Sequence, residues 1–301
     1  MKLKILGCHS ATPMENAHTT SQVLEVKDHL FLIDCGEGTQ IQLRRQKIKF
    51  SRIKHIFISH LHGDHFYGLV GLVSTFRLLG RTADLHIYGP KGIKEVLTLQ
   101  LKLSNSWTDY NLVFYELEKK ESELIFEDDS LKVHTIPLDH RVYTNGFLFE
   151  EKFGLRKLDK EKIKNFNIPH YDFHKLKLGK DLVLEDGTAL KNEIVTLNPN
   201  PIRRYAFCSD TAYNESIVPL INKVDLLYHE ATFLNAHENL AKKTKHSTAE
   251  QAAKIAQLAR VKCLVLGHYS SRYYEKSGFL NEAAPFFDVV QLAADGKIFD
   301  I

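Results

Sequence analysis

Short apolar runs recur along this chain, and their spacing predicts its elements. The runs at Lys2–Leu6, Ser21–Val26 and His29–Asp34 read as strands, the last two joined at Lys27-Asp28. Gly36-Glu37-Gly38 interrupts the pattern, and helical spacing follows at Thr39–Gln46. Ile53–Ser59 is a short β-rich run of the kind buried in a sheet, and Gly68–Leu79 is helix-like. A strand at Leu85–Tyr88 ends at Gly89-Pro90 before a helix at Ile93–Leu101. The middle is strand-rich, at Leu112–Leu117, Glu123–Glu127, Leu131–Ile136 and Gly146–Glu150. Alternation then returns, with strands at Tyr205–Ser209, Leu226–His229, Lys262–Gly267 and Val289–Ala293. The clearest helix is Ser247–Ala259, where Ser247 as N-cap and Glu250 three residues on match a capping box. Ala294-Asp295-Gly296 predicts a hairpin turn into Lys297–Ile301. Strands followed by helices at both ends, with strands between, predict an α/β fold of two sheets face to face with helices outside.

Composition narrows the class only slightly. A chain of 301 residues suits one large domain or two ordinary ones, and 44% apolar with 26% charged residues supports a sizeable core. The formal charge of +3 neither demands nor excludes a polyanion, so such a site must come from local clustering. No apolar stretch approaches the roughly 18 residues of a membrane span, and the start, Met1 to Leu6, turns polar too early for a signal peptide. Cys8, Cys35, Cys208 and Cys263 form no Cys-x-x-Cys pair, and each lies in or beside an apolar segment. They read as reduced, buried thiols of a cytoplasmic protein rather than a thiolate zinc site.

One stretch stands apart from a compact core. Lys152–Lys180 carries nine Lys or Arg against three Asp or Glu, interleaved with Phe153, Phe166, Tyr171 and Phe173. With a small hairpin around Asp186-Gly187, it reads as an inserted arm, at roughly 152–200, projecting from a single domain over 1–301. Its composition suits either an ordinary solvated loop or a phosphate-binding surface with aromatic interleaving.

The most informative residues are His60-Leu61-His62-Gly63-Asp64-His65. Imidazole and carboxylate suit zinc, manganese or iron, and three such ligands on one short loop can hold a metal firmly. Three more donors end apolar strands: His140 after Ile136-Pro137-Leu138-Asp139, Asp210 after Phe207-Cys208-Ser209, and His268 after Leu264-Val265-Leu266-Gly267. Ligands commonly gather beyond the carboxyl ends of strands. Singly, each is an ordinary hydrogen-bonded His or turn Asp. Together with the hexapeptide they supply seven donors, too many for one tetrahedral zinc and suited to two.

His-x-His-x-Asp-His, then a distant His, an Asp and a final His, resembles the metallo-β-lactamase superfamily, whose fold is a four-layer αβ/βα sandwich. Further segments resemble its tRNA 3′-processing branch, ribonuclease Z in its short form: Leu32-Ile33-Asp34-Cys35-Gly36-Glu37-Gly38-Thr39-Gln40, His229-Glu230-Ala231-Thr232, Lys245-His246-Ser247-Thr248, Leu266-Gly267-His268-Tyr269-Ser270-Ser271-Arg272-Tyr273 and Ala294-Asp295-Gly296. The resemblance covers essentially the whole chain. Two segments depart from it: Ile168-Pro169 runs into His170-Tyr171-Asp172-Phe173-His174 instead of a Gly-Pro tip, and Gly7-Cys8-His9-Ser10 is less glycine-rich.

The resemblance implies a zinc-dependent endoribonuclease that removes the 3′ trailer of precursor tRNA by hydroxide attack on a phosphodiester, leaving a 3′-hydroxyl on the tRNA and a 5′-phosphate on the trailer. His60, His62 and His140 would hold one Zn²⁺, and Asp64, His65 and His268 the second, with Asp210 bridging; Mn²⁺ or another divalent ion could replace zinc. Asp64 would handle the water's proton, and His246, oriented by Glu230, would protonate the leaving oxygen. His229 fills a structural place. Ser270, Arg272 and Tyr273 would approach the phosphate, Lys175 and Lys177 of the arm would contact substrate, and Tyr67 packs or stacks. The resemblance also implies a cytoplasmic homodimer away from membranes. Rival readings are a lactonase, thioesterase or cyclic-nucleotide phosphodiesterase of the same fold, or an RNA-binding protein with structural zinc. The first leaves the basic arm and the paired His-Glu-Ala-Thr and His-Ser-Thr motifs unexplained. The second calls for a closed four-ligand site. A redox diiron relative would carry a carboxylate where His62 stands.

Overall fold

A computed structural model describes every residue except Pro13 and Glu185. Two seven-stranded sheets form the bulk of the chain. The first runs in the order Ile298–Asp300, Lys2–Gly7, Ser21–Val26, His29–Ile33, Ile53–Phe57, Leu85–Pro90, Leu112–Leu117. The pairings from Ile298–Asp300 to His29–Ile33 are antiparallel, and those from His29–Ile33 to Leu112–Leu117 are parallel. The second runs Val290–Leu292, Leu264–Gly267, Leu226–Glu230, Arg204–Cys208, Asn145–Glu151, Leu131–Pro137, Leu124–Glu127. Its first four strands are mutually parallel.

Strand alternation explains the layers. In His29–Ile33, Leu30 and Leu32 join an apolar cluster with Leu69, Leu72, Val73 and Phe76 of helix Gly68–Leu78 and Ile93, Leu97 and Leu101 of helix Ile93–Leu103. Phe31, between those leucines, points to the opposite face and meets Phe149 of the second sheet at 5.5 Å between ring centroids. Phe57 meets Phe147 the same way at 5.4 Å. Both faces of the first sheet are therefore covered, and its central strands read as nearly continuous apolar runs. Helices Ala249–Leu258 and Ser277–Ala283 cover the second sheet and complete the αβ/βα order.

Two local expectations are corrected. Ser247 does not cap its helix: its hydroxyl donates to the Thr211 carbonyl at 2.7 Å. Thr248 is the N-cap and forms a reciprocal capping box with Gln251. Ala294-Asp295-Gly296 is a crossover, not a hairpin, because Val290–Leu292 and Ile298–Asp300 belong to different sheets. The Asp295 carboxylate accepts from the His18 backbone N–H at 3.0 Å and from His18 Nδ1 at 2.7 Å, which ties the connection to the first sheet's loop. The short helices Glu238–Thr244 and Ser277–Ala283 were not legible, since neither carries a side-chain cap or a long apolar stripe.

Residues 128–131 and 150–202 form a second compact unit. Its basic sequence reads as lying outside any compact core, yet it has a small one: Ile163, Ile168, Leu176, Leu182, Leu190 and Val195. Helix Lys160–Asn165 is capped by Asp159, whose carboxylate accepts from the Lys162 backbone N–H. Leu182–Val183 pairs with Ala189–Leu190 as the expected hairpin, of which Glu185 lies outside the described residues. Asn192 fastens the unit internally, its side-chain amide donating to the carbonyls of Leu176 and Lys180.

Candidate metal centre

The register of the second sheet sets the site. Cys208 lies level with His229, and Glu230 with Gly267, so three parallel strands end at one edge. Asp210, Glu230 and His268 follow from those ends. The first sheet delivers His60 two residues beyond Ile58, whose N–H donates to the Tyr88 carbonyl, and the Ser59 carbonyl accepts from Asn145 N. Two glycines let the loops close. A Cβ on Gly36 would stand 2.3 Å from the Asp64 carbonyl oxygen, and one on Gly68 would stand 2.1 Å from the Gly36 carbonyl oxygen. Cys35 N–H donates to the His65 carbonyl at 2.7 Å in that contact, and Gly68 N–H to the Cys35 carbonyl at 2.9 Å. His268 itself takes φ 62°, left-handed backbone that a non-glycine residue adopts mainly where surrounding structure holds it.

All seven predicted donors converge. His60, His62, His140 and Asp210 place one ligand atom each within 4.8 Å of the others, and so do Asp64, His65, His268 and Asp210. In the first set His62 Nδ1 lies 3.0 Å from His60 Nε2 and 3.3 Å from His140 Nε2, with Asp210 Oδ2 3.7 Å from His60 Nε2. In the second, His268 Nε2 lies 3.3 Å from His65 Nε2, 3.3 Å from Asp64 Oδ2 and 3.1 Å from Asp210 Oδ1. Four ligands about 2.0–2.1 Å from one tetrahedral ion stand about 3.3–3.4 Å apart, so both sets have the dimensions of a coordination shell. Asp210 gives one oxygen to each set. The donors therefore fit a divalent cation in chemistry and in spacing.

Each imidazole but His62 has its far nitrogen held. His65 Nδ1 donates to Asp34 at 2.7 Å, and His140 Nδ1 to the Lys245 carbonyl at 2.9 Å. Two hydroxyls act as relays. Ser59 Oγ donates to Asp34 at 2.8 Å, so its lone pairs accept from His60 Nδ1 at 3.0 Å. Thr232 Oγ1 donates to Glu230 at 2.7 Å and accepts from His268 Nδ1 at 2.8 Å. A proton fixed on each far nitrogen leaves the inner one bare, as a metal ligand requires. Asp34, Ser59 and Thr232 were given no role from sequence. Asp34, closing an apolar strand before a glycine-rich turn, carried the strongest available signal.

The electrostatics favour positive charge at the centre. Burial alone would lower His65, but Asp210, Asp64 and Asp34 outweigh it and hold its pKa well above the ordinary value. Burial would raise Asp64 and Asp210, yet the neighbouring imidazoles hold both below the usual carboxylate range. Burial lowers His60, His62 and His140. The carboxylates thus stay ionised beside His60, His62 and His140, whose burial disfavours the charged form, a field suited to a cation.

His246 stands beside the donors, its Nδ1 donating to Glu230 Oε1 at 2.7 Å. Burial opposes its charge, but Glu230 raises its pKa to about 9. Glu230 is fully buried and accepts as well from the backbone N–H groups of Thr211 and Thr232. His229 points elsewhere, with Nδ1 donating to the Glu230 carbonyl. Ser270 and Arg272 line the cleft over the centre, with Arg141, which the sequence reading passed over. Tyr273 does not present its hydroxyl there: that oxygen accepts from Leu234 N and sits 2.7 Å from His237 Nδ1. Tyr67 is 61% exposed. Lys175 and Lys177 are exposed on helix Phe173–Lys177 of the second unit, where Lys175 pairs with Asp172 at 2.8 Å. All four cysteines are free thiols. No helix among the described residues is long and apolar enough to cross a membrane.

Two sheets packed face to face between helices, with a His/Asp cluster at their shared edge, define a metallo-β-lactamase-fold protein suited to a divalent metal. A family model described as anti-Pycsar protein Apyc1 matches residues 1–178. Ribonuclease Z of Bacteroides thetaiotaomicron is 49% identical over 100% of this chain and 95% of its own length. Ribonuclease Z of Porphyromonas gingivalis strain W83 is 47% identical over 94% and 93%. The crystal structure of human tRNase Z, short form, superposes with a TM-score of 0.73 at 29% identity, covering 100% of this chain and 99% of that one. The metallo-β-lactamase fold protein YhfI of Bacillus subtilis superposes at 0.69 with 18% identity, covering 99% and 98%, a likeness of fold alone. The chain belongs to the ribonuclease Z family, and its first 178 residues also place it in the family described by the Apyc1 model.

Proposed function

We propose that this chain is a zinc-dependent endoribonuclease that removes the 3′ trailer from precursor tRNA. The observation that carries the reading is the pair of four-donor sets sharing Asp210, with the His246–Glu230 pair beside them. His60, His62 and His140 would hold one zinc, and Asp64, His65 and His268 the other. When bound, such a pair supplies acidification of a water and neutralisation of charge on phosphoryl oxygens.

The protein's own groups account for the protons. Asp64 would accept or orient a proton of the attacking water. The water's oxygen bonds to phosphorus while the bond to the 3′ oxygen of the tRNA body breaks. His246, kept protonated by Glu230, gives its proton to that departing oxygen from the ring nitrogen not bound to Glu230. The products are a 3′-hydroxyl on the tRNA and a 5′-phosphate on the trailer. Arg272 is suited to a phosphoryl oxygen, since guanidinium pairs bidentately with phosphate, and Ser270 beside it can donate a second hydrogen bond.

The exposed basic surface of residues 152–200, including Lys175 and Lys177, would grip the tRNA body through its phosphates. The reading carries with it a cytoplasmic homodimer, as the family resemblance implies, and Mn²⁺ or another divalent ion could substitute for zinc. The test is incubation of the purified chain with a 3′-extended precursor tRNA and mapping of the cut. A 3′-hydroxyl at the end of the tRNA body and a 5′-phosphorylated trailer are expected. An intact precursor, or cuts scattered along it, would refute the proposal.

A further inference from the structure

We infer that RNA crosses the reaction cleft with one polarity, the last nucleotide of the tRNA body on the His246 side and the first trailer nucleotide in a separate cavity walled by Tyr274 and Lys276. The inference rests on the endonuclease reading above and goes beyond it by assigning a trailer site.

Two cavities adjoin the central cleft. The central cleft, about 390 Å³, is lined by metal-set residues together with His246 and Arg272. A second, about 640 Å³, shares His246 with the cleft and is lined by Tyr213, Lys242 and Lys245. A third, about 600 Å³, shares Thr12 and Ser271 with the cleft and is lined by Asn16, Tyr274 and Lys276. Each flanking volume falls within the roughly 300–1,000 Å³ of small-molecule sites.

The chemistry of the products orders them. The oxygen that takes the proton of His246 belongs to the last nucleotide of the body. That nucleotide must lie against His246, next to the cavity that shares this residue. The phosphate remains with the trailer, so the trailer's ribose leaves the cleft by another wall. The wall formed by Thr12 and Ser271 opens onto the third cavity, and its side chains suit a nucleotide. Tyr274 is 84% exposed and offers a ring face for stacking. The Lys276 ammonium, 5.1 Å from the Tyr269 ring centre, is held beside the cavity as a counter-charge for the next phosphate. Asn16 and Glu15, which also line this cavity, offer donors and acceptors to a base edge. Tyr273, its hydroxyl tied to Leu234 and His237, steadies the backbone that carries Tyr274.

The experiment is a cycle of paired changes in protein and RNA. Wild-type protein, Tyr274→Ala and Tyr274→Phe are given precursor tRNA whose first trailer nucleotide is either intact or abasic, with zinc present. Tyr274→Ala should raise KM for the intact precursor about tenfold, the lower part of the range for one base stacked on an aromatic ring. Tyr274→Phe should restore it. The abasic nucleotide should penalise wild-type protein to a similar degree, and the two changes together should cost no more than either alone. Inhibition by a 5′-phosphorylated trailer oligonucleotide should weaken in Tyr274→Ala, and inhibition by mature tRNA in Tyr213→Ala. Independent, multiplying losses, an unaltered KM in Tyr274→Ala, or the opposite pattern of inhibition would overturn the assignment. A precursor left uncut by wild-type protein would instead overturn the endonuclease reading, and the trailer site with it.

Discussion

Thr232→Val tests the hydroxyl relay behind the second donor set. Thr232 is 3% exposed; its Oγ1 donates to Glu230 at 2.7 Å and accepts from His268 Nδ1 at 2.8 Å. Valine fills nearly the same volume and abolishes both bonds. His268 is 1% exposed, so its Nδ1–H would lose its partner where water does not reach. Stranding one such donor costs about 1–3 kcal/mol, and the lost bond to a charged acceptor about 1.5–3 kcal/mol, so cation-free protein should lose about 2.5–6 kcal/mol of stability. The imidazole would also be free to move its proton to Nε2, the atom that must stay bare to bind a cation. Loss of such a supporting bond lowers metal affinity about 10–100-fold, which is about 1.4–2.7 kcal/mol. Chelator competition with metal analysis reads this directly. The set of Asp64, His65 and His268 should empty first, and the stoichiometry should fall from two zinc per chain towards one at intermediate chelator. Thr232→Ser, which keeps the hydroxyl, should behave as wild type. Metal affinity in Thr232→Val within twofold of wild type would refute the relay, and so would equal loss from both donor sets.

Other outcomes follow from the same geometry. Purified protein should carry close to two zinc per chain by elemental analysis, and one or none would reject the dinuclear centre. His246→Ala should lower kcat about 10²–10⁴-fold with metal content retained, and metal loss on substitution would assign His246 a different role. Glu230 raises His246 to about 9, so the proton that His246 donates is present below that pH and lost above it. In Glu230→Gln the alkaline limb of kcat should therefore move to lower pH, towards the ordinary histidine value of about 6.5, and an unmoved limb would separate the pair from the rate. Gly68→Ala would drive a Cβ to 2.1 Å from the Gly36 carbonyl, and about 1–3 kcal/mol should be lost in denaturant melts. Deleting 152–200 should weaken precursor binding far more than hydrolysis of bis(p-nitrophenyl) phosphate, and equal losses would remove that unit from substrate recognition.

What the sequence disclosed and what it hid differ in the range of the interaction. His60, His62, Asp64 and His65 are legible because they share one turn. His140, Asp210 and His268 are legible because each follows an apolar strand, and for Asp210 and His268 the strands finish level because they lie in one parallel set. Both sheets were readable for the same reason, their apolar periods being local. The roles of Ser59 and Thr232 were not, because a hydroxyl beside a strand end is commonplace. It becomes a relay only when a carboxylate arrives on one side and an imidazole on the other. For Ser59 that carboxylate is Asp34, 25 residues earlier. The helix start at 248 shows the same rule in miniature. Ser247 with Glu250 and Thr248 with Gln251 are equally good capping boxes as sequence. The choice falls to Thr248 because the Ser247 hydroxyl is taken by the Thr211 carbonyl, next to Asp210. The one-residue shift fixes where the helix begins and leaves His246 just outside it, with its backbone N–H on the Ala241 carbonyl and its ring on Glu230. The helix boundary and the placement of the proposed acid are thus set by one tertiary hydrogen bond that no local pattern could reveal.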